Sequence, residues 1–439
     1  IVSIFVRMQI NRMLRVHMIN QNWTDKKIIP GFILGVFLFS LAEIANAMTK
    51  KELAREALIE KVNSHDKLLE TLERISWFGD MRLRYEMVDR ASDNSTANDA
   101  DGHLDTDRPR IRFRFGARAH VYEDLDFVFR LSTGGDDAST SGNTTLDGTF
   151  GNEAISLNLA YGSWEFMDGL TVQGGKVKNP FMKSEVVWDG DVNPEGLSEI
   201  YQKKSGDTTL QFVAGQYIVE ETDRNTTVDS DDVVLLAWQA QLHQKTKAGK
   251  FKFAVAWYDY NHLTDPGSAI TKQLGSGDGQ RNSQVTGTDV NTTNMQIFDF
   301  MADWSSPLDS KHGSLFYEYA VNTDADAPAG NNTIAQDLDT AWQLGFKFGD
   351  KNVKKTGQWQ IKTLYRLVQQ DAVFYALTDS DFHQGGTNAK GIELGAKYAI
   401  RKGMQLGYTF FDTKNERGDI NGGKFDVPGK HLLDLKFKF

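Results

Sequence analysis

The sequence predicts an all-β protein: a transmembrane antiparallel β-barrel of about 16 strands, preceded by a short N-terminal periplasmic α-helix. Three observations carry that expectation. Apolar and polar residues alternate with period two after Phe78, the gaps between strands alternate long and short, and no apolar run is long enough to cross a membrane as a helix. Composition agrees. The 439 residues are 40% hydrophobic and 11% aromatic with a mean hydropathy of −0.44, too polar for a bundle of membrane helices and too apolar for a disordered chain. With no cysteine, the chain can form no disulfide, thiolate metal site or thiol nucleophile.

The first element is a leader, residues 1–47. Lys26 and Lys27 precede the apolar run from Ile28 to Ala42, and Ala45-Asn46-Ala47 supplies small residues at both positions a signal peptidase reads. The run is shorter than the ~20 residues a spanning helix needs, so a secretory signal cut after Ala47 is expected rather than an anchor. Residues 1–25 fit no part of a signal, and Met18 is the expected translation start. Residues 48–76 then read as a charged amphipathic helix. Leu58, Val62, His65, Leu69, Leu72 and Ser76 recur at coiled-coil spacing, although two of the six are polar.

The barrel is expected over 77–439. Its clearest strand is Arg110 to Val121, with Ile111, Phe113, Phe115, Ala117, Ala119 and Val121 on one face and Arg110, Arg112, Arg114, Gly116, Arg118 and His120 on the other. Strands are expected near 78–89, 109–121, 125–132, 155–165, 169–177, 197–204, 207–218 and 233–243. The rest lie near 250–260, 294–304, 313–321, 340–348, 358–370, 390–400, 403–412 and 431–439. Gaps after odd strands are long and those after even strands mostly short, as external loops and periplasmic turns of a membrane barrel are. A soluble sandwich has no reason to sort its loops by parity. Tyr85, Tyr161, Trp164, Trp257, Trp304, Trp342, Trp359, Tyr398 and Tyr408 stand where interfacial girdles would. The terminal strand carries Phe437 and Phe439 on its apolar face, which resembles the C-terminal signal read by the barrel-assembly machinery.

The stretches Arg110-Ile-Arg-Phe-Arg-Phe-Gly-Ala-Arg118, Gly175-Lys-Val-Lys-Asn-Pro-Phe181 and Trp188-Asp-Gly-Asp-Val-Asn-Pro-Glu-Gly196 resemble the bacterial outer-membrane "putative porin" family, and the resemblance spans 48–439. It implies a sixteen-stranded barrel with a loop folded inward to narrow it, here residues 178–196. It does not carry a substrate, because the outer loops of this chain are more acidic than the family pattern.

Inward positions on the first three strands hold Arg82, Arg84, Arg110, Arg112, Arg114, Arg118 and Arg130. Arginine facing lipid costs ~2–4 kcal/mol at the midplane, so this basic ladder is expected to line water. Glu185, Asp189, Asp191 and Glu195 on the inserted loop are expected across from it, giving a transverse field that orders solutes. The plainer alternative is that 189–194 is only a turn-rich loop. Residues 91–107, 220–232 and 322–339 are acidic and together outweigh the chain's net −10. They suit a solvated vestibule near lipopolysaccharide and lack the ordered spacing of a calcium loop.

No nucleophile elbow, phosphate loop, zinc motif or dinucleotide fingerprint occurs, so no catalysis, cofactor or metal is expected. A pI near 5.5 argues against nucleic acid. The expected function is passive diffusion of small hydrophilic solutes or ions through a homotrimer. The alternative is a surface adhesin or receptor working through its acidic loops.

Overall fold

The computed structural model describes residues 73–92, 106–135, 139–221, 231–264, 282, 293–325, 338–417 and 425–439. The expected leader and nearly all of the expected helix lie outside them. Of its described end, Ile75 and Ser76 are strand. Ile75 and Trp77 already alternate with Ser76 and Phe78 and pair with Ala119 and Ala117, which extends the first hairpin back to Ile75. The compact unit described is Arg74–Phe439.

Seventeen strands follow in order: β1 Ile75–Ser92, β2 Thr106–Tyr122, β3 Leu125–Thr133, β4 Thr144–Thr145, β5 Ile155–Met167, β6 Leu170–Lys176, β7 Glu195–Ser205, β8 Thr208–Glu220 and β9 Val233–Thr246. Then come β10 Gly249–Asn261, β11 Met295–Leu308, β12 Lys311–Asn322, β13 Thr340–Gly349, β14 Trp359–Val368, β15 Ala389–Arg401, β16 Met404–Asn415 and β17 Phe425–Lys438. The two-residue β4 only prolongs the edge of β2 beyond the end of β3, so sixteen strands build the wall. Each pairs antiparallel with its chain neighbours, and β1 pairs with both β2 and β17, which closes the ring. Closure is what lipid demands, since an open edge would leave backbone donors without partners.

Alternation sorts the two faces. Leu83, Tyr85, Phe253, Val255, Leu344, Leu394 and Leu433 are exposed and point outward. Their neighbours Arg84, Ala254, Gln343, Glu393 and Asp434 are buried on the inner face, where inserted loops cover them. Trp164, Tyr398 and Tyr408 join Tyr85 on the outer face as expected. Tyr161 does not. A bulge between Arg130 and Leu131 in the β3–β5 pairing leaves Asn158 as the extra residue, so Leu157 points out but Leu159 and Tyr161 point in. Tyr161 is therefore a core residue, 5% exposed.

Candidate functional site

The interior of the barrel is built from the chain between β6 and β7, residues 177–194, which folds inward. Two inward-facing glycines frame it. Gly175 (φ +117°) and Gly196 (φ +148°) are register partners, and a Cβ on either would lie 2.3 or 2.1 Å from a neighbouring strand's carbonyl oxygen. Only glycine takes that backbone at that distance, so the chain can leave the wall and return there. Val177 N–H then donates to Pro194 O (2.8 Å) and closes the base of the loop.

An aromatic anchor holds the loop to the wall. Phe181 stacks on Trp188 at 5.9 Å and meets Tyr217 and Tyr258 edge-on at 6.2 and 5.5 Å, all four buried. Beside it, Gln239 accepts from Met182 N–H (2.7 Å) and donates to Met182 O (2.9 Å). Further along, Gln343 donates to Ser184 O at 2.5 Å, and Ser184 donates to Glu318. These contacts carry the loop from β9 across to β12 and β13.

The far end of the loop meets the arginines. Asp191 accepts from Arg112 at 2.7 Å and Arg114 at 2.9 Å, and Asp80 on β1 binds the same two guanidiniums at 3.2 and 2.8 Å. Burial would raise the Asp191 carboxyl, but Arg112 and Arg114 outweigh it and hold it below the usual range. The ladder and the loop are thus in direct contact here, rather than separated by open lumen. Register places Arg82 opposite Arg112 and Arg84 opposite Arg110. Such like-charge pairs are tolerable only with counter-charges. Strand acids supply them: Glu86 takes Arg108 and Arg110 (2.5 and 3.0 Å), and Asp434 takes Arg84 (2.7 Å).

The remaining expected site residues separate. Glu185 lies 3.9 Å from Lys362 on β14. Asp189 is 7% exposed and accepts from the amides of Asp191 (2.7 Å) and Ser380 (2.9 Å). Burial, then the carboxylates of Asp379 and Asp191, push Asp189 well above the usual range. Glu195 is not in the constriction. It is the first residue of β7, the register partner of Lys176, and ion-paired to it on the outer face because Gly175 and Gly196 take the inner one. Arg118 is half exposed and 3.6 Å from Asp126, and Arg130 donates to Asn158 at 2.5 Å. Phe437 and Phe439 stay on the outer face, with Phe439 66% exposed and 6.3 Å from Phe115.

A second inserted loop, 369–388, went unread in the sequence. Asp381 binds Arg84 (2.8 Å) and Lys430 (3.5 Å), Asp379 binds Arg366 (2.8 Å), and Leu377 O accepts from Asp189 N–H (2.7 Å), so the two loops are tied to each other. Burial would raise Asp381, but Arg84, Lys430 and Arg82 hold it far below the usual carboxylate range. His383 sits in the same loop, with Nδ1 3.0 Å from Thr413 Oγ1 and Nε2 3.1 Å from Asn415 Oδ1. The readable signal was the apolar run Ala372 to Leu377 in a supposedly external loop. No group of three or more metal-ligating side chains occurs among the described residues.

The sequence matches the model of a family described as "Putative porin" over residues 42–291 and 292–439. No curated protein matches it. Among solved structures it is similar to the outer membrane channel DcaP of Acinetobacter baumannii, at 15% identity over 83% of this chain and 97% of that one, with a TM-score of 0.45. It is similar to Pseudomonas putida OprB at high pH (12%, 85% and 96%, TM-score 0.50). Salmonella typhi OmpF in complex with daunomycin is a further one (10%, 83% and 97%, TM-score 0.46). At such identities likeness speaks to fold alone, and of the three only OprB reaches a TM-score of 0.50. The family match covers most of the chain and meets a closed sixteen-stranded barrel narrowed from within: the chain belongs to the "Putative porin" family and is an outer-membrane channel for passive diffusion of small hydrophilic solutes.

Proposed function

We propose that this porin prefers anions. One observation carries the reading: the five carboxylates set against the arginine ladder are engaged in ion pairs, whereas several inward cations form no ion pair with a carboxylate among the described residues. Asp80, Glu86, Asp191, Asp381 and Asp434 each bind at least one cation. Arg82 binds only Asn143 (2.5 Å), Arg130 binds Asn158, and Lys347 lies 4.6 Å over the Phe316 ring with Lys362 opposite it in register. A narrow, low-dielectric passage lined by one net sign raises the local concentration of counter-ions.

The test is the zero-current potential of the purified channel in a planar bilayer under a salt gradient. Wild type should show the sign of chloride preference, and Arg112→Ser with Arg114→Ser should move the potential toward cations, because Asp80 and Asp191 would then lose their partners. A cation-selective wild type would overturn the reading.

The finer assignments belong to the same proposal. Residues 1–47 leave as a signal peptide, and residues 48–74 form the periplasmic helix. The barrel assembles as a homotrimer, its acidic loops meet lipopolysaccharide, and Phe437 and Phe439 engage the barrel-assembly machinery. Transport involves no catalytic step.

A further inference from the structure

Behind the first inserted loop lies a polar group that the channel reading does not use. Asp299 on β11 is fully buried, and neither of its carboxylate oxygens has a hydrogen-bond partner. Register places Asp299 opposite Ala256 and Tyr258 opposite Ile297, so Tyr258 is a diagonal neighbour of Asp299. On the other side Asp299 is opposite Ala320 and Met301 opposite Glu318, which makes Glu318 the other diagonal neighbour. Diagonal neighbours on one sheet face stand ~7–8 Å apart, within reach of long side chains. Glu318 acts electrostatically on Asp299, and both carboxylates act on Tyr258.

The three side chains therefore form one row on the inner face, with exposures of 0%, 0% and 1% for Tyr258, Asp299 and Glu318. The Tyr258 hydroxyl makes no hydrogen bond of ordinary geometry, although the Trp188 indole N–H lies beside it. Glu318 is held in place by donors: Ser184 Oγ, Gln343 Nε2 (2.9 Å) and the Val186 amide. Arg366, the cation that acts electrostatically on Glu318, forms its hydrogen bonds with Asp379 (2.8 Å) and Gln343 (3.0 Å) instead. Ala256, Ile297, Met301 and Ala320 wall the row with apolar surface. Two carboxylates side by side in such a place are costly unless something neutralises them.

We propose that Asp299, Glu318 and the Tyr258 hydroxyl bind a divalent cation of the hard, oxygen-seeking kind, Ca²⁺, and thereby pin the first inserted loop to the β11–β12 wall. The donor set is all oxygen and carries two negative charges, which a divalent ion balances. It has no nitrogen or sulfur to favour zinc or copper. Glu318 is oriented by loop residues Ser184 and Val186, so the bound ion and the loop position are coupled.

The test uses the full-length barrel in detergent after EDTA treatment. Terbium, a Ca²⁺ substitute, should give luminescence sensitised by Trp188 and Tyr258 that added Ca²⁺ displaces. Asp299→Asn and Glu318→Gln should each abolish it, and Asp350→Asn in a periplasmic turn should leave it unchanged. Because the buried variants can fail to fold, the wild-type unfolding temperature is read as well. It should rise with Ca²⁺ but not with NaCl of matched ionic strength. Absent luminescence together with a Ca²⁺-independent unfolding temperature would overturn the proposal, as would luminescence that survives both buried substitutions. An Asp299→Asn barrel as stable as wild type in Ca²⁺ would mean that a proton neutralises the pair, and would overturn it equally.

Discussion

At Asp191 two guanidiniums converge on one carboxylate of the first inserted loop. Charge-assisted hydrogen bonds of this kind contribute about 1.5–3 kcal/mol. Asp191→Asn should loosen the loop and raise anion preference, the opposite sign to the arginine substitutions, and the zero-current potential reads both. Arg84 is more deeply committed, between Asp381 and Asp434 with only 3% of its side chain exposed. Arg84→Met should destabilise the barrel by about 3–5 kcal/mol in urea unfolding, because both carboxylates lose a buried partner. His383 gives a pH dependence. Burial lowers its pKa to about 4, against ~6.5 in an unfolded chain. Between those values the unfolded loop binds a proton that the folded loop refuses, so stability is complete above pH 6.5 and falls as pH drops toward 4. Loop 369–388 should become protease-sensitive over that window, and His383→Gln should flatten the profile. The arginine ladder was readable in the sequence because guanidiniums cannot alternate into lipid. Its partners Asp80, Glu86 and Asp434 were not, because nothing in a linear chain brings residue 84 to residue 434.

Among the elements, the strands were legible and the inward loops were legible only in part. Strands betray themselves through period two, and even the weakly alternating β7 and β8 appear within two residues of their expected ends. A bulge defeats the same logic. At Asn158 the parity inverts, and Tyr161 goes to the core rather than the girdle. Loops have no period, so what marks an inserted one is an apolar residue that has no business in water. The first loop was legible through its resemblance to the porin family, whereas the second is marked only by the apolar run from Ala372 to Leu377. Trp188→Ala should remove the stack on Phe181 and the edge contact with Tyr258 (5.6 Å). The cost is about 3–5 kcal/mol of loop seating. Single-channel conductance should rise or become noisy while the β-sheet circular dichroism signal is retained.

For the whole molecule, the seam between β1 and β17 matters most. Gly79 and Phe439 exchange backbone hydrogen bonds there (3.2 and 3.4 Å). A Cβ at Gly79 would stand 2.3 Å from the Phe439 ring and 2.6 Å from Arg114 O. Gly79→Val should therefore slow insertion into lipid vesicles, read as a delayed appearance of the compact, heat-modifiable band on a gel.

The seam also sets the tempo of folding. Fifteen of the sixteen wall pairings join strands adjacent in the chain, and only β1–β17 joins its two ends. Closing a loop costs entropy that grows with the logarithm of its length, and chains rich in distant contacts fold slowly. A ribbon of hairpins can thus form step by step, with one late step that must find the far end. Joining the ends by a short linker and cutting the chain in an external loop would turn that distant pairing into a local hairpin. The slow step would move to the new cut, although every residue of the pore stayed where it was.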